Sequence, residues 1–133
     1  MNKSTKRIIK ILSDQLLNLK QPIHLLAVCS GGRTLSKLIA SNLRNEGINV
    51  AYYEVWTNII KGKAKLWRTN FTKEDYTGTV VIVEDVIWKG TQLPPIKNLL
   101  KIMAPKKRFY IASILDCNEK ADFAVYKYYK KFY

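Results

Sequence analysis

Two carboxylates stand side by side at Glu84 and Asp85, directly after Val80-Val81-Ile82-Val83 and before Val86-Ile87-Trp88-Lys89-Gly90-Thr91-Gln92-Leu93. Four β-branched apolar residues in succession predict a strand buried on both faces, and ionised groups cannot stay in such a core. They must emerge at the strand's carboxyl end, where open parallel sheets bind their ligands. The loop behind them leads into an apolar helical segment, so its amides and Lys89 can meet a phosphate, although Lys89 can equally face solvent. A second candidate is Cys29-Ser30-Gly31-Gly32-Arg33, again between a strand and a helix. A glycine pair there lets amides approach an anion at the helix's positive end; the other reading is a tight turn that needs glycine only for close packing. In the third stretch, Lys61-Gly62-Lys63-Ala64-Lys65-Leu66-Trp67-Arg68, Lys63, Lys65 and Trp67 alternate against Ala64, Leu66 and Arg68, the period of a hairpin arm. With Trp56 and Trp67 this arm could hold RNA by charge and stacking, or it could be a solvated charged hairpin.

The elements that must position these groups follow from pattern. Ser4 to Leu19 predicts a helix with Ser4 or Thr5 as N-cap and Ile8, Leu12, Leu16 and Leu19 on one face. Gln21-Pro22 ends it, and Ile23 to Val28 reads as a strand whose His24 is structural rather than catalytic. Thr34 to Asn45 is an amphipathic helix with Leu35, Leu38, Ile39 and Leu43 as apolar positions, closed by Gly47. Ile48 to Trp56 reads as a second parallel strand, joined by a right-handed crossover. Residues 57–78 have the least regular pattern and form the basic arm. Pro94-Pro95 is tolerated only in a helix's first turn, so a helix starts there and runs to about Met103. Lys107 to Leu115 is a further strand, and Lys120 to Tyr126 follows with Phe123 and several tyrosines that would otherwise read as edge-strand core.

The chain's 133 residues at 47% hydrophobic content fit one domain, and the alternation of strands and helices above predicts an α/β architecture, a parallel sheet flanked by helices. No segment approaches the roughly 18 consecutive apolar residues that span a bilayer, and no secretory leader is recognisable. A soluble, cytoplasmic protein is expected. Its two cysteines, Cys29 and Cys117, lack metal-ligand spacing and read as reduced thiols. With 23 Lys and Arg against 10 Asp and Glu, the net charge of +13 calls for an anionic partner, whether polyphosphate, nucleic acid or membrane surface.

The run from Val80 through Gln92 resembles the phosphoribosyl-pyrophosphate (PRPP) motif of the type I phosphoribosyltransferases: hydrophobic strand, two acidic residues, two apolar residues, then a small phosphate-binding loop. By that resemblance Glu84 and Asp85 hold the ribose hydroxyls, and Lys89, Gly90, Thr91 and Gln92 bind the 5′-phosphate. This chain departs from the family at Trp88, where purine enzymes carry an acid/base Asp, and two loop hydroxyls are replaced. Ser30, Gly31, Gly32 and Arg33 resemble the family's pyrophosphate loop, with the charge placed after the glycines and the Ser30–Gly31 peptide expected to be cis. Residues 57–78 correspond to the flexible catalytic arm, where Lys63 and Lys65 would screen departing pyrophosphate. Lys120 to Tyr126 is similar to the base-binding segment of hypoxanthine-guanine-type members, with Phe123 as the stacking ring in a short terminal segment, 117–133.

The resemblance, carried from Ile23 to Tyr126, implies one Rossmann-like domain over 1–133, with an N-terminal helix in 1–20. The implied activity transfers the phosphoribosyl group of PRPP to a nucleobase, a 6-oxopurine by preference, and releases pyrophosphate. Mg²⁺ would arrive with PRPP, touched at most by Glu84 and Asp85 and not by a dedicated protein cage. The other expected ligand is a nucleobase or nucleoside monophosphate, and the expected assembly is a homodimer or homotetramer with no membrane association. The alternative is a non-catalytic regulator on the same fold that binds nucleotide or RNA.

Overall fold

The structure is a computed structural model and describes residues 2 to 128. A six-stranded sheet forms its centre, in the order β3-β2-β1-β4-β5-β6. The strands are β1 (Ile23–Cys29), β2 (Val50–Ile60), β3 (Lys63–Thr69), β4 (Thr79–Ile87), β5 (Tyr110–Asp116) and β6 (Phe123–Lys127). All neighbours pair in parallel except β2 and β3, which form an antiparallel hairpin. Helices α1 (Lys3–Leu16) and α2 (Arg33–Asn45) cover one face, and α3 (Leu93–Met103) covers the other.

The apolar run in β4 explains why helices lie on both sides. Val81 and Val83 pack among Leu12, Leu16, Leu35 and Ile39 beneath α1 and α2, while Val80 and Ile82 pack with Ile96 and Leu100 beneath α3. All four β4 side chains are excluded from solvent. Burial of this kind contributes roughly 1.5–3 kcal/mol per aliphatic side chain, which makes β4 the axis on which both layers depend.

Several boundaries differ from the sequence reading, each for a local reason. The cap of α1 is Asn2, not Ser4 or Thr5: its Oδ1 accepts from Thr5 N at 2.8 Å. The helix stops at Leu16 instead of Leu19, where Leu19 N donates to Leu16 O and closes a tighter final turn. Strand β2 continues past Trp56 to Ile60 because its second half pairs with β3, with an irregularity at Trp56/Thr57. Strand β5 begins at Tyr110, not Lys107; Lys107 N is engaged with Ala104 O in the turn that follows α3. Within the arm, 57–78, the chain forms regular sheet hairpin up to Thr69, then a short 3₁₀ turn at Lys73–Asp75 held by a reciprocal Thr72–Asp75 capping box. Ala64 and Leu66 are partly buried and Lys63, Lys65 and Trp67 exposed, as the alternation predicts, but Arg68, grouped by the pattern with Ala64 and Leu66, is exposed as well, because the register shifts opposite it at Trp56/Thr57. None of the helices among the described residues is long and apolar enough to cross a membrane.

Candidate active site

Strands β1 and β4 are adjacent and parallel, yet the chain leaves β1 for β2 on one side and reaches β4 on the other. Such a topological switch point opens a crevice at the carboxyl ends of the central strands. The loop after β1 is Ser30-Gly31-Gly32, and the loop after β4 is Trp88 to Gln92, so the two glycine-containing stretches singled out by sequence share that crevice.

Glu84 and Asp85 divide between its two sides, as successive residues of a strand must. Glu84 points to the α3 side and, with Ile59, Val86, Trp88, Lys89, Gly90, Thr91 and Gln92, lines a cleft of about 190 Å³. Only 8% of Glu84 is exposed, and its Oε2 has no hydrogen-bond partner among the described residues. Burial, with a smaller contribution from the Asp85 charge, pushes its carboxyl up to about 7. Asp85 instead lies against the first glycine loop. Val86 N donates to its Oδ1 at 2.8 Å, and a Cβ built on Gly31 would stand 2.8 Å from the same oxygen.

The glycine pair therefore has two separate jobs. Gly31 leaves room for Asp85, whereas a Cβ on Gly32 would collide with the Val83 carbonyl oxygen. For Gly32 the tight-turn reading holds. Its N–H donates to Val28 O at 2.8 Å as the chain turns into α2. The cis peptide of this loop is Cys29–Ser30, one bond earlier than the Ser30–Gly31 expectation; the chain reverses there to bring Gly32 N back to Val28 O.

Arg33 opens α2, but its Nε is bonded to Glu54 Oε2 at 2.9 Å. Sequence reading missed this carboxylate. Tyr52 Oη and Trp56 Nε1 also donate to Glu54, at 2.8 and 3.2 Å. Burial raises the Glu54 carboxyl, yet these two hydrogen bonds with Arg33 and Lys37 outweigh it and hold the group below its ordinary value. The available signal was the spacing of Tyr52, Glu54 and Trp56 at every second residue, one polar face on an otherwise apolar strand.

The loop after β5 was also missed. Asp116 is fully buried, and its carboxylate accepts from the backbone N–H groups of Asn118, Lys120 and Ala121. That anchored turn lies over the β4 loop: Asn118 Nδ2 donates to Trp88 O at 2.7 Å, and Lys120 runs along Gly90, with its Cγ 3.4 Å from where a Cβ would be. Gly90 itself has φ +74, a conformation that favours glycine. Across the cleft, Thr57 Oγ1 donates to Gln92 Oε1 at 3.0 Å, which ties the hairpin to the loop.

Three of the sequence candidates are not brought to this cleft. Lys65 is exposed on the hairpin, and Lys63 faces a different hollow, shared with Gly62, Thr91, Pro94, Pro95 and Asn98. Phe123 begins β6, paired with Ala112, and its ring packs 5.6 Å from that of Tyr110 against the core under α1. It is a partly buried residue at the amino end of its strand, because β6 runs parallel to β5 and presents Lys127, not Phe123, at the carboxyl side. Of the short terminal segment 117–133, residues 129–133 lie outside the described residues.

Sheet order, switch point and the pair of loops together define the type I phosphoribosyltransferase fold. Among solved structures the chain is similar to a hypoxanthine-guanine phosphoribosyltransferase from Bacillus anthracis, with 21% identity and a TM-score of 0.75 over 98% of this chain and 80% of that one. A hypoxanthine phosphoribosyltransferase from Staphylococcus aureus matches at 17% identity and TM-score 0.77, over 98% and 76% of the two chains. A purine phosphoribosyltransferase from Pyrococcus horikoshii matches at 19% and 0.75, over 96% and 85%. No protein-family model and no curated protein matches the sequence.

Proposed function

We propose that this chain is a phosphoribosyltransferase that joins a nucleobase, a 6-oxopurine by preference, to the ribose of PRPP. The observation that carries this reading is Glu84: a buried carboxyl with one oxygen unpartnered among the described residues, lining the cleft formed with Trp88 to Gln92. Buried polar atoms are normally satisfied, so an orphan beside a glycine-containing loop points to a ligand that supplies the missing donor. A ribose hydroxyl is such a donor.

In this mechanism Glu84 and Asp85 accept hydrogen bonds from the ribose hydroxyls and fix the sugar across the switch point. The amides of Lys89 to Gln92, with the Lys89 ammonium, hold the 5′-phosphate. Ser30 to Arg33 receive the pyrophosphate, to which Arg33 offers its terminal nitrogens while Glu54 holds its Nε. The bond from the anomeric carbon to pyrophosphate oxygen breaks, positive charge develops on the ribose, a base nitrogen forms the new bond, and the proton that nitrogen carried passes to solvent or to the departing pyrophosphate. Carboxylates beside the sugar stabilise that charge. Lys63 and Lys65 stand outside the cleft on the hairpin, and the reading requires the hairpin to swing inward for them to screen leaving-group charge. Glu84 and Asp85 are hard oxygen donors on the two sides of the crevice, and either suits an Mg²⁺ carried mainly by substrate oxygens and water. Bound Mg²⁺ would neutralise pyrophosphate charge. A cytoplasmic, homodimeric or homotetrameric enzyme belongs to the same reading.

The test is thermal unfolding with and without Mg-PRPP. A ligand present at a hundredfold excess over Kd stabilises by about 2.7 kcal/mol, several degrees in Tm for a domain of this size. Asp85→Asn should abolish that shift while leaving the ligand-free Tm within a few degrees of wild type. An undiminished shift in the variant would remove the assignment.

The hairpin favours a second reading. Lys63, Lys65 and Trp67 share an exposed face, and Arg68 lies over the Trp56 ring at 5.8 Å. Charge interleaved with aromatic rings suits single-stranded RNA. RNA binding through this face should weaken steeply between low and moderate salt, and neutralising Lys61, Lys63 and Lys65 should flatten that slope. Binding insensitive to both would reject it.

A further inference from the structure

Trp88 is the most conspicuous side chain that the mechanism above leaves idle. It is 66% exposed, although a large indole gains most from burial. Two neighbours on the same cleft are exposed as well: Ile59 at 55% and Val86 at 41%. The opposite lining is polar, made by Glu84 and the loop from Lys89 to Gln92. One small cleft thus has an apolar rim bearing an aromatic plane and a floor of charge and amides. Ligand sites for amphiphilic small molecules are built this way.

The backbone that carries the indole is pinned. Cys117 N donates to Ile87 O at 2.9 Å, Asn118 Nδ2 donates to Trp88 O at 2.7 Å, and Asp116 holds the turn that supplies both donors. Those bonds fix where the side chain leaves the loop, two residues before Gly90. Phe123, the ring assigned to the base by resemblance, is partly buried against the core beside Tyr110, at the opposite end of its strand from this loop.

We infer that Trp88 is the base-stacking residue of this site, its indole forming the platform for the purine of a nucleoside 5′-monophosphate whose phosphate lies on the Lys89–Gln92 loop. The assignment rests on the phosphoribosyl reading of the loop and deepens it by naming the group that meets the base. It gives the bulky residue at this loop position a function: an aromatic plane carried on the phosphate loop itself. Selection for a base then works through ring area more than through hydrogen bonds, so purines bind better than pyrimidines.

The experiment compares inosine 5′-monophosphate with ribose 5-phosphate by calorimetry on the wild-type chain, Trp88→Phe and Trp88→Ala. Stacking on an aromatic ring accounts for roughly a tenfold change in affinity or more per base. Trp88→Ala should lose at least that much affinity for inosine monophosphate while keeping its affinity for ribose 5-phosphate, and Trp88→Phe should restore most of the loss. Inosine monophosphate should also quench indole emission in wild type but not in Trp88→Phe. If wild type binds ribose 5-phosphate and the purine adds nothing, or Trp88→Ala changes neither affinity, the stacking role is wrong and the loop reading stands. If Trp88→Phe loses ribose 5-phosphate as well, the side chain supports the loop, and the stacking role is again overturned. Wild type that binds neither compound overturns both readings.

Discussion

At Glu84 the fold keeps a carboxyl group whose one oxygen is shielded from solvent and meets no hydrogen-bond donor among the described residues, and the consequence can be read in stability against pH. Its value rises from an ordinary 4.5 to about 7, so the folded state binds this proton more tightly than the unfolded state does. The contribution to stability is fully present below 4.5 and is lost as pH rises to 7, a change on the order of 3 kcal/mol for such a shift. His24 acts in the opposite direction. Burial lowers its pKa, against opposing effects of Asp75 and Thr77, while its ring nitrogens meet Tyr53 Oη and Thr77 Oγ1 at 3.2 and 3.0 Å. The folded state binds that proton less tightly, so stability falls as pH drops below 6.5. Urea denaturation of Glu84→Gln should therefore show a gain over wild type at pH 8 that disappears near pH 4.5, leaving a curve that only rises between pH 5 and 7. Equal stabilities for the two proteins at pH 8 would mean that the fold does not raise the Glu84 carboxyl. A gain in stability from removing a site residue is the expected signature of a group kept for its ligand.

The two glycine loops show at the scale of elements what packing adds to sequence. Gly31-Gly32 reads as a loop open to an anion, but its second glycine is needed by the backbone of β4 and its first by the side chain of Asp85. Gly32→Ala should cost several kcal/mol, because a rigid carbonyl cannot move aside without disturbing the central strand. Gly31→Ala should leave Tm nearly unchanged and weaken PRPP, since only the Asp85 carboxylate must shift. Equal losses of stability in the two variants would contradict this division. The elements themselves were legible where pattern was strong: the Val80–Val83 run in β4, the Pro94-Pro95 start of α3 and the Lys63/Lys65/Trp67 alternation in β3. Boundaries were less so, because β2 extends to Ile60 only through pairing with β3, and the cap at Asn2 competes with two equally suitable hydroxyls at Ser4 and Thr5. Glu54 and Asp116 escaped for a related reason: each is a lone carboxylate on a largely apolar strand, and although the donors of these hydrogen bonds are near in sequence, only the folded strand and turn aim them at it.

For the molecule as a whole, the order of parts was readable because a parallel sheet imposes it: strand, loop and helix repeat, and the carboxylates mark one edge. Position across the sheet was not. Phe123 shares a segment with the site by sequence but lies at the far end of its strand, and Lys120, four residues from the end of β5, reaches Gly90. The register also bears on how the protein is made. The innermost pair, β1 with β4, joins Ile23 to Thr79, residues separated by the whole of α2 and the hairpin. A nascent chain that has left the ribosome only as far as Gly78 can pair β1 with β2 alone. One flank of β1, an entirely apolar strand apart from His24, stays bare until β4 is translated. Non-local closure of this kind is slow, and adhesive surface stays exposed until β4, and after it α3 and β5, have emerged to cover the bare flank and the face beneath it.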